Sequence, residues 1–359
     1  MKVLYINQQL GFNLYGGVET QMIETMKHIN SLTDDVMVKL FNMWGDKIEE
    51  YDIVHIFSPR TFPSESLSIA NYAKSHGLKV VVSPIFFDSP IFVKETHNSL
   101  YALLWKFYKR LNKEFSEISY LNYINPNRHL EDLFKISDLL LPNTNDELKC
   151  LMKTFSQISE EKCNIIPNGV ESRFKYGNTD VFMEKYGIDD FILFVGRLEP
   201  RKNVIKLIEA FVESELETKL VIIGKKTEAE EYGDLCQMKG NENVIFIPSL
   251  LHQSELLRSA YKAAKVVTLP SYLETPGLVA LEAGLAGSNL VITEVGGTKE
   301  YFGDKAWYID PRSKDSIREA LVSSYATPKS HGLTKIIENN FTWDKIAKKT
   351  IEAYYKIYQ

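Results

Sequence analysis

Cysteine is scarce in this chain. Three occur in 359 residues, Cys150, Cys163 and Cys236. Their spacing suits neither a metal site nor a disulfide framework, and so few thiols fit a reducing compartment. A basic excess is missing too: Lys plus Arg total 42 against 47 Asp plus Glu, a formal net charge of -5. That balance excludes the concentrated basic footprint of a nucleic-acid binder. No apolar run approaches the ~18 residues needed to cross a bilayer. The opening "MKVLYINQQL" reads as a short strand and not as the apolar core of a signal peptide. The protein is therefore expected in the cytoplasm, with peripheral contact at the inner face of the membrane left open. Short-period repeats and low-complexity tracts are absent.

What the chain does have is a regular alternation of short apolar runs with amphipathic stretches. A first series reads "VLYI" (3–6), "VMVKLF" (36–41), "DIVHIF" (52–57), "KVVVSPIF" (79–86), "DLLLPN" (138–143) and "NIIPN" (164–168). A second reads "FILFVGR" (191–197), "KLVIIG" (219–224), "NVIFIPS" (243–249), "KVVTLPS" (265–271) and "LVITEV" (290–295). Unbroken Val/Ile/Leu runs mark strands buried on both faces of a parallel sheet, and helices between them imply βαβ crossovers. A chain of this length exceeds what one core supports. The expected fold class is α/β, with two Rossmann-like domains whose parallel sheets face a central cleft. The domains are read as 1–167 and 191–341, joined by a polar, glycine-containing linker over 168–190. The terminal "FTWDKIAKKTIEAYYKIY" (341–358) is read as an amphipathic helix.

Ligands of open α/β sheets bind beyond the carboxyl ends of the strands, so the turns there carry the functional reading. After the first strand, "NQQLGFNLYGGVET" (7–20) places Gly16 and Gly17 at a helix start, where free amides and the helix dipole favour an anion. A simple tight turn explains the glycines equally well. The spacing is not G-x-G-x-x-G, which makes a nicotinamide cofactor a weak reading. In "FVGRLEPRKN" (194–203), Gly196 ends a strand, and Arg197 and Lys202 bracket a proline turn into a helix. Two cations there oppose the dipole, and a bound phosphate would compensate them. The alternative is a pair of solvated surface cations.

In "SYLETPGLVALEAG" (271–284), Thr275 is a candidate N-cap and Pro276 a candidate first helical residue. The first turn, Pro276-Gly277-Leu278-Val279, would then offer backbone N–H groups for a second phosphate contact. Glu274 and Glu282 would flank that site, and carboxylates accept hydrogen bonds from sugar hydroxyls. Otherwise Glu282 caps a neighbouring loop and Glu274 is solvated.

Here the residues resemble a known family. "ETPGLVALE" is similar to the E-x7-E motif of retaining GT-B glycosyltransferases, in particular the GT4 family. "VGRLEPRKN", "PNGV" (167–170), "GGVET" and "EVGGTKEYFGD" (294–304) resemble its other motifs. The resemblance implies a nucleotide-diphosphate sugar held mainly by the second domain, with no cofactor and no obligatory metal. It implies Arg197 and Lys202 on the diphosphate, Glu274 on the donor sugar and Glu282 on the ribose. Amides from Thr275 to Val279 would add contacts, and Gly17 would approach from the first domain. It also implies that the closing helix, 342–359, returns to complete the first domain.

Members of that family often carry a histidine in a first-domain loop that here reads "VVVSPIFFDSP". Asp88 is the nearest polar candidate for a catalytic role there, and a loop-structuring role fits it at least as well. His55, within an apolar strand, reads as a satisfied core residue. The stretch "SLYALLWKFYKRLNKEF" (99–115) could lie at a lipid surface and present a lipid-linked acceptor. An ordinary packed amphipathic helix is the favoured reading. The function expected is sugar transfer from a nucleotide donor to a saccharide or lipid-linked glycan. A nucleotide-sugar epimerase and a silent sugar-nucleotide binding module are the alternatives.

Overall fold

Among the described residues, valine, isoleucine and leucine fill both faces of most strands, and the protein buries them in two sheets whose strand pairs are all parallel. A computed structural model describes residues 1–8, 11, 16–87, 126–226 and 230–358. These divide into two units, one of residues up to 168 together with 343–358, the other of residues 169–342.

The first unit contains β1 (Lys2–Ile6), β2 (Met37–Leu40), β3 (Ile53–Phe57), β4 (Lys79–Ser83) and β5 (Leu139–Leu140). Its sheet order is β2-β1-β3-β4-β5. Helices α1 (Gly17–Leu32), α2 (Pro63–Ser75), α3 (Pro126–Ile136) and α4 (Asn145–Thr154) belong to it, as does the last helix of the chain, Trp343–Tyr358. Leu4, Ile6, Val54, Ile56, Val80 and Val82 form its core with Leu133 and Leu151 from the helices. The closing helix anchors through Tyr354, whose hydroxyl lies 2.7 Å from His55 Nδ1 and donates to Tyr5 Oη at 2.8 Å. Ser83 Oγ meets His55 Nε2 at 2.9 Å. Burial pushes the His55 imidazole down to about 3, so it is a neutral core residue. The run 164–168 does not form a strand. One bridge joins Leu140 to Cys163, and Pro167, lacking an N–H, cannot extend the ladder.

The second unit contains β6 (Ile192–Val195), β7 (Leu220–Ile223), β8 (Val244–Ile247), β9 (Val266–Leu269), β10 (Asn289–Thr293) and β11 (Trp307–Ile309). Its sheet order is β11-β10-β9-β6-β7-β8. Helices α5 (Thr179–Tyr186), α6 (Val204–Glu213), α7 (Glu230–Lys239), α8 (Glu255–Ala263), α9 (Leu278–Ala286), α10 (Thr298–Phe302), α11 (Lys314–Ala326) and α12 (Gly332–Asn340) accompany it. Residues 168–190, polar enough to read as a linker, carry α5 and send Phe174 and Phe182 into this core. Phe182 stacks on Phe191 with ring centroids 5.1 Å apart. A few large rings outweigh the polar majority of that segment.

Counted from β6, this second order is that of the doubly wound dinucleotide-binding fold, whose strand order reverses between the first and fourth strands. Here those are β6 and β9. Their paired register ends at Leu193 and Val267, two residues before each strand does. The sheet therefore offers a crevice at its carboxyl edge between β6 and β9.

Candidate active site

Both segments that carry the charged motifs leave the sheet at this crevice. The first follows β6. Gly196 lies against the end of β7, its N–H bonded to Ile223 O at 3.0 Å. The chain then forms a single tight helical turn, Pro200–Lys202, and Asn203 starts α6. The Asn203 side-chain amide donates to Pro270 O at 3.1 Å and Pro311 O at 2.8 Å. That ties the start of α6 to the end of β9.

Three cations cluster here, and the protein supplies carboxylates to each. Arg197 Nε lies 3.4 Å from Glu199 Oε2, with its side chain 46% exposed. Arg201 pairs with Glu199 Oε1 at 3.0 Å and donates to Leu273 O at 3.3 Å. Lys202, its side chain 14% exposed, pairs with Glu274 Oε1 at 2.6 Å. The solvated reading thus fails for Lys202 and Glu274, whereas Arg197 stays half open to solvent.

The second segment follows β9. Ser271 Oγ donates to Glu274 Oε1 at 2.6 Å, and Glu274 N–H reaches Val295 O at 3.2 Å. Burial alone would raise the Glu274 carboxyl. Lys202, Arg201 and the Ser271 hydroxyl outweigh it and hold the group below its ordinary value. A buried ion pair of this kind persists only when hydrogen bonds complete it, and Ser271 provides one.

Helix α9 starts later than the sequence implies. Thr275 and Pro276 lie in the preceding turn, and the helix begins at Leu278 with Gly277 as its N-cap. The reason is Gly277, whose φ of +82° breaks any helical run from Pro276. A Cβ at Gly277 would also stand 3.0 Å from Glu274 Oε2. Leu278 and Val279 thus form the first turn, with amides that lack intrahelical acceptors. Glu282 is the fifth helical residue, one turn in.

Both Glu282 oxygens are occupied. Tyr261 Oη, from α8, donates to Oε2 at 2.7 Å, and His252 Nε2 lies 2.7 Å from Oε1. Tyr261 is fully buried, and burial with the Glu282 charge pushes its hydroxyl well above the ordinary value. Burial pulls His252 down, yet Glu282 outweighs it and leaves the imidazole above its ordinary value, with Arg173 opposing and Glu171 assisting. A raised histidine stabilises the fold fully below its unfolded value of ~6.5, and that stabilisation is lost as pH rises through the folded value. The difference in unfolding free energy between wild type and His252→Gln is therefore expected to be largest in acid and to shrink towards alkaline pH. Urea titrations at several pH values check it; a constant difference contradicts the pairing.

Tyr261, His252, Ser271, Arg201 and Glu199 were not singled out by the sequence reading. A tyrosine on the buried side of an amphipathic helix signals that its hydroxyl has a partner, but not which one.

In the first unit, Gly16 is the N-cap of α1 and Gly17 its first residue. The chain's own Glu19 sits at this helix start, Oε2 accepting from Gly16 N at 2.9 Å and Oε1 from Asn7 Nδ2 at 2.8 Å. Asp88 and the stretch 99–115 lie outside the described residues. Among those residues, no group of three or more His, Cys, Asp or Glu is arranged to hold a metal, and no helix is long and apolar enough to cross a membrane.

With this geometry in view, the likeness to known proteins is specific. Residues 179–343 match the family model Glycosyl transferases group 1. The match covers the whole crevice, from β6 through α9. An uncharacterized glycosyltransferase of Methanocaldococcus jannaschii is 31% identical over 219 residues, spanning 54% of this chain and 54% of that protein. A D-inositol 3-phosphate glycosyltransferase of Rhodococcus erythropolis is 26% identical over 245 residues, 61% of this chain and 54% of that one. The chain thus spans about half the length of the curated relatives it matches. Among solved structures, sucrose-phosphate synthase from Thermosynechococcus elongatus superposes with a TM-score of 0.74 at 15% identity, covering 100% of this chain and 99% of that one. Anabaena HepE in complex with UDP gives 0.75 at 15% identity, covering 99% and 100%. The fold is GT-B.

Proposed function

We propose that this protein is a retaining glycosyltransferase of the GT4 type, which moves a sugar from a nucleoside-diphosphate donor to a saccharide or lipid-linked acceptor. The observation that supports the reading is the Lys202–Glu274 pair at the β6/β9 switch point, with Arg197 on the same loop after β6 and Glu282 one turn into the helix that follows β9. A UDP-sugar is the first donor to try, because the similar HepE has been solved with UDP-glucose.

In this reading Arg197 and Lys202 receive the diphosphate. As the glycosidic bond breaks, negative charge grows on the leaving phosphate, and fixed cations in a partly dry site stabilise it strongly. They supply the positive charge that a divalent ion would otherwise bring. Lys202 has three N–H donors, so it can hold Glu274 and a phosphate oxygen together. Amides at the start of α9 add donors for an anion. Glu282, fixed by Tyr261 and His252, accepts from ribose hydroxyls, and Glu274 faces the donor sugar. Surface-glycan assembly in the cytoplasm is the proposed setting, in keeping with the three free cysteines.

Arg197 is half exposed, so Arg197→Ala should leave the melting temperature within about 2 °C. Its turnover should fall ~100-fold or more, as when one transition-state donor is removed. Release of nucleoside diphosphate from UDP-, GDP- and ADP-glucose measures this, and NMR of the product gives the anomeric outcome. Inversion, or full activity in the variant, refutes the reading.

A further inference from the structure

A pocket lies in the first unit, where the stretch 7–20 leaves β1. It encloses about 420 Å³ at the carboxyl ends of β1 and β2, beside the first turn of α2. Tyr5, Asn7, Gln8, Asn42, Trp44 and Glu65 line it among others. Carboxyl ends of parallel strands are where such sheets bind ligands.

Two features define what would fit. The first is Trp44, which is 90% exposed, next to Met43 at 46%. Its loop is held in place despite that exposure. Trp44 N–H donates to Asn42 Oδ1 at 3.1 Å, while Gly45 and Asp46 N–H both reach Asn42 O, at 3.0 and 2.9 Å. Asp46, its side chain only 7% exposed, closes the loop through Asn42 N at 2.8 Å and an ion pair with Lys39. A large ring is thus presented to solvent on a fixed turn at the rim of a cavity. The second feature is charge: among the described residues, none of the lining side chains is lysine, arginine or histidine. The polar side chains are the amides of Asn7, Gln8 and Asn42, the Tyr5 hydroxyl, the Trp44 indole N–H and the Glu65 carboxylate. A phosphate-bearing ligand finds no counter-charge here, in contrast to the crevice of Arg197 and Lys202.

An aromatic face beside amides and a carboxylate matches a sugar ring, which has an apolar C–H face and a rim of hydroxyls that donate and accept. We propose that this pocket binds a neutral saccharide through Trp44. Its role as the acceptor subsite rests on the transfer reading above; the binding itself does not.

Saturation-transfer NMR on the full chain tests this with the methyl glycosides of glucose, mannose, galactose and N-acetylglucosamine. Glucose 6-phosphate, uridine and UDP complete the set. Wild type is expected to bind at least one methyl glycoside. Trp44→Ala should weaken that binding roughly tenfold, and Trp44→Phe should restore part of it. UDP binding should be unchanged in both variants. With its side chain in solvent, Trp44 can be replaced without loss of fold. The proposal is overturned if no methyl glycoside binds, if Trp44→Ala binds it equally, or if glucose 6-phosphate or uridine is the Trp44-dependent ligand. Failure of UDP to bind while a glycoside depends on Trp44 refutes the donor reading and leaves the pocket standing.

Discussion

Lys202→Met is expected to destabilise the protein by about 3–5 kcal/mol, because it leaves the Glu274 carboxylate buried without its cation. The carboxylate is 6% exposed and would keep only the Ser271 hydroxyl and the more distant Arg201 as compensation. The double variant Lys202→Met/Glu274→Leu should recover most of that loss, since apolar groups of similar volume replace a buried pair at little cost. It should nevertheless stay inactive. Urea unfolding of the two single variants and the double variant measures the coupling as a cycle. If Lys202→Met unfolds like wild type, the pair is not the compensated buried interaction described here. The contrast with Arg197→Ala is informative, because both residues are assigned to the diphosphate and only one is also part of the fold.

Gly296→Ala is expected to cost about 4 kcal/mol and to abolish turnover. Gly296 has φ of +102°, and a Cβ there would stand 2.1 Å from Glu274 O. Positive φ costs a side chain about 1–3 kcal/mol, and overpacking against backbone adds about 1–3 kcal/mol. The clash falls on the parallel bridge between Glu274 and Gly296, so any relief shifts Glu274 itself. Thermal unfolding gives the stability and donor turnover the activity. A variant that melts normally and turns over normally contradicts the bridge.

Much of the architecture was legible in the sequence, because strands buried on both faces write themselves as Val/Ile/Leu runs. β1 to β10 each coincide with such a run, β1 and β10 starting one residue before theirs. β11 escaped because Trp307–Ile309 is three residues long and partly exposed. The part that the segment 168–190 plays in the second core was hidden for the opposite reason, its composition being polar while Phe174 and Phe182 are wholly buried. At the candidate site, turn signals singled out the two loops that leave the sheet at the β6/β9 crevice, yet they could not say what touches what. Lys202 and Glu274 are 72 residues apart, and only the β6/β9 adjacency brings them together. The start of α9 shows the same limit on a smaller scale. Thr275-Pro276 is good helix-opening chemistry, but the left-handed Gly277 overrides it.

Calorimetric titration of the wild type and Arg197→Ala with UDP, GDP, ADP, CMP and NAD tests the donor site most directly. One nucleoside diphosphate should bind the wild type and bind Arg197→Ala at least about tenfold more weakly, a difference of ~1.4 kcal/mol. Binding of NAD alone, or of no diphosphate, would contradict a sugar-nucleotide site at the β6/β9 crevice.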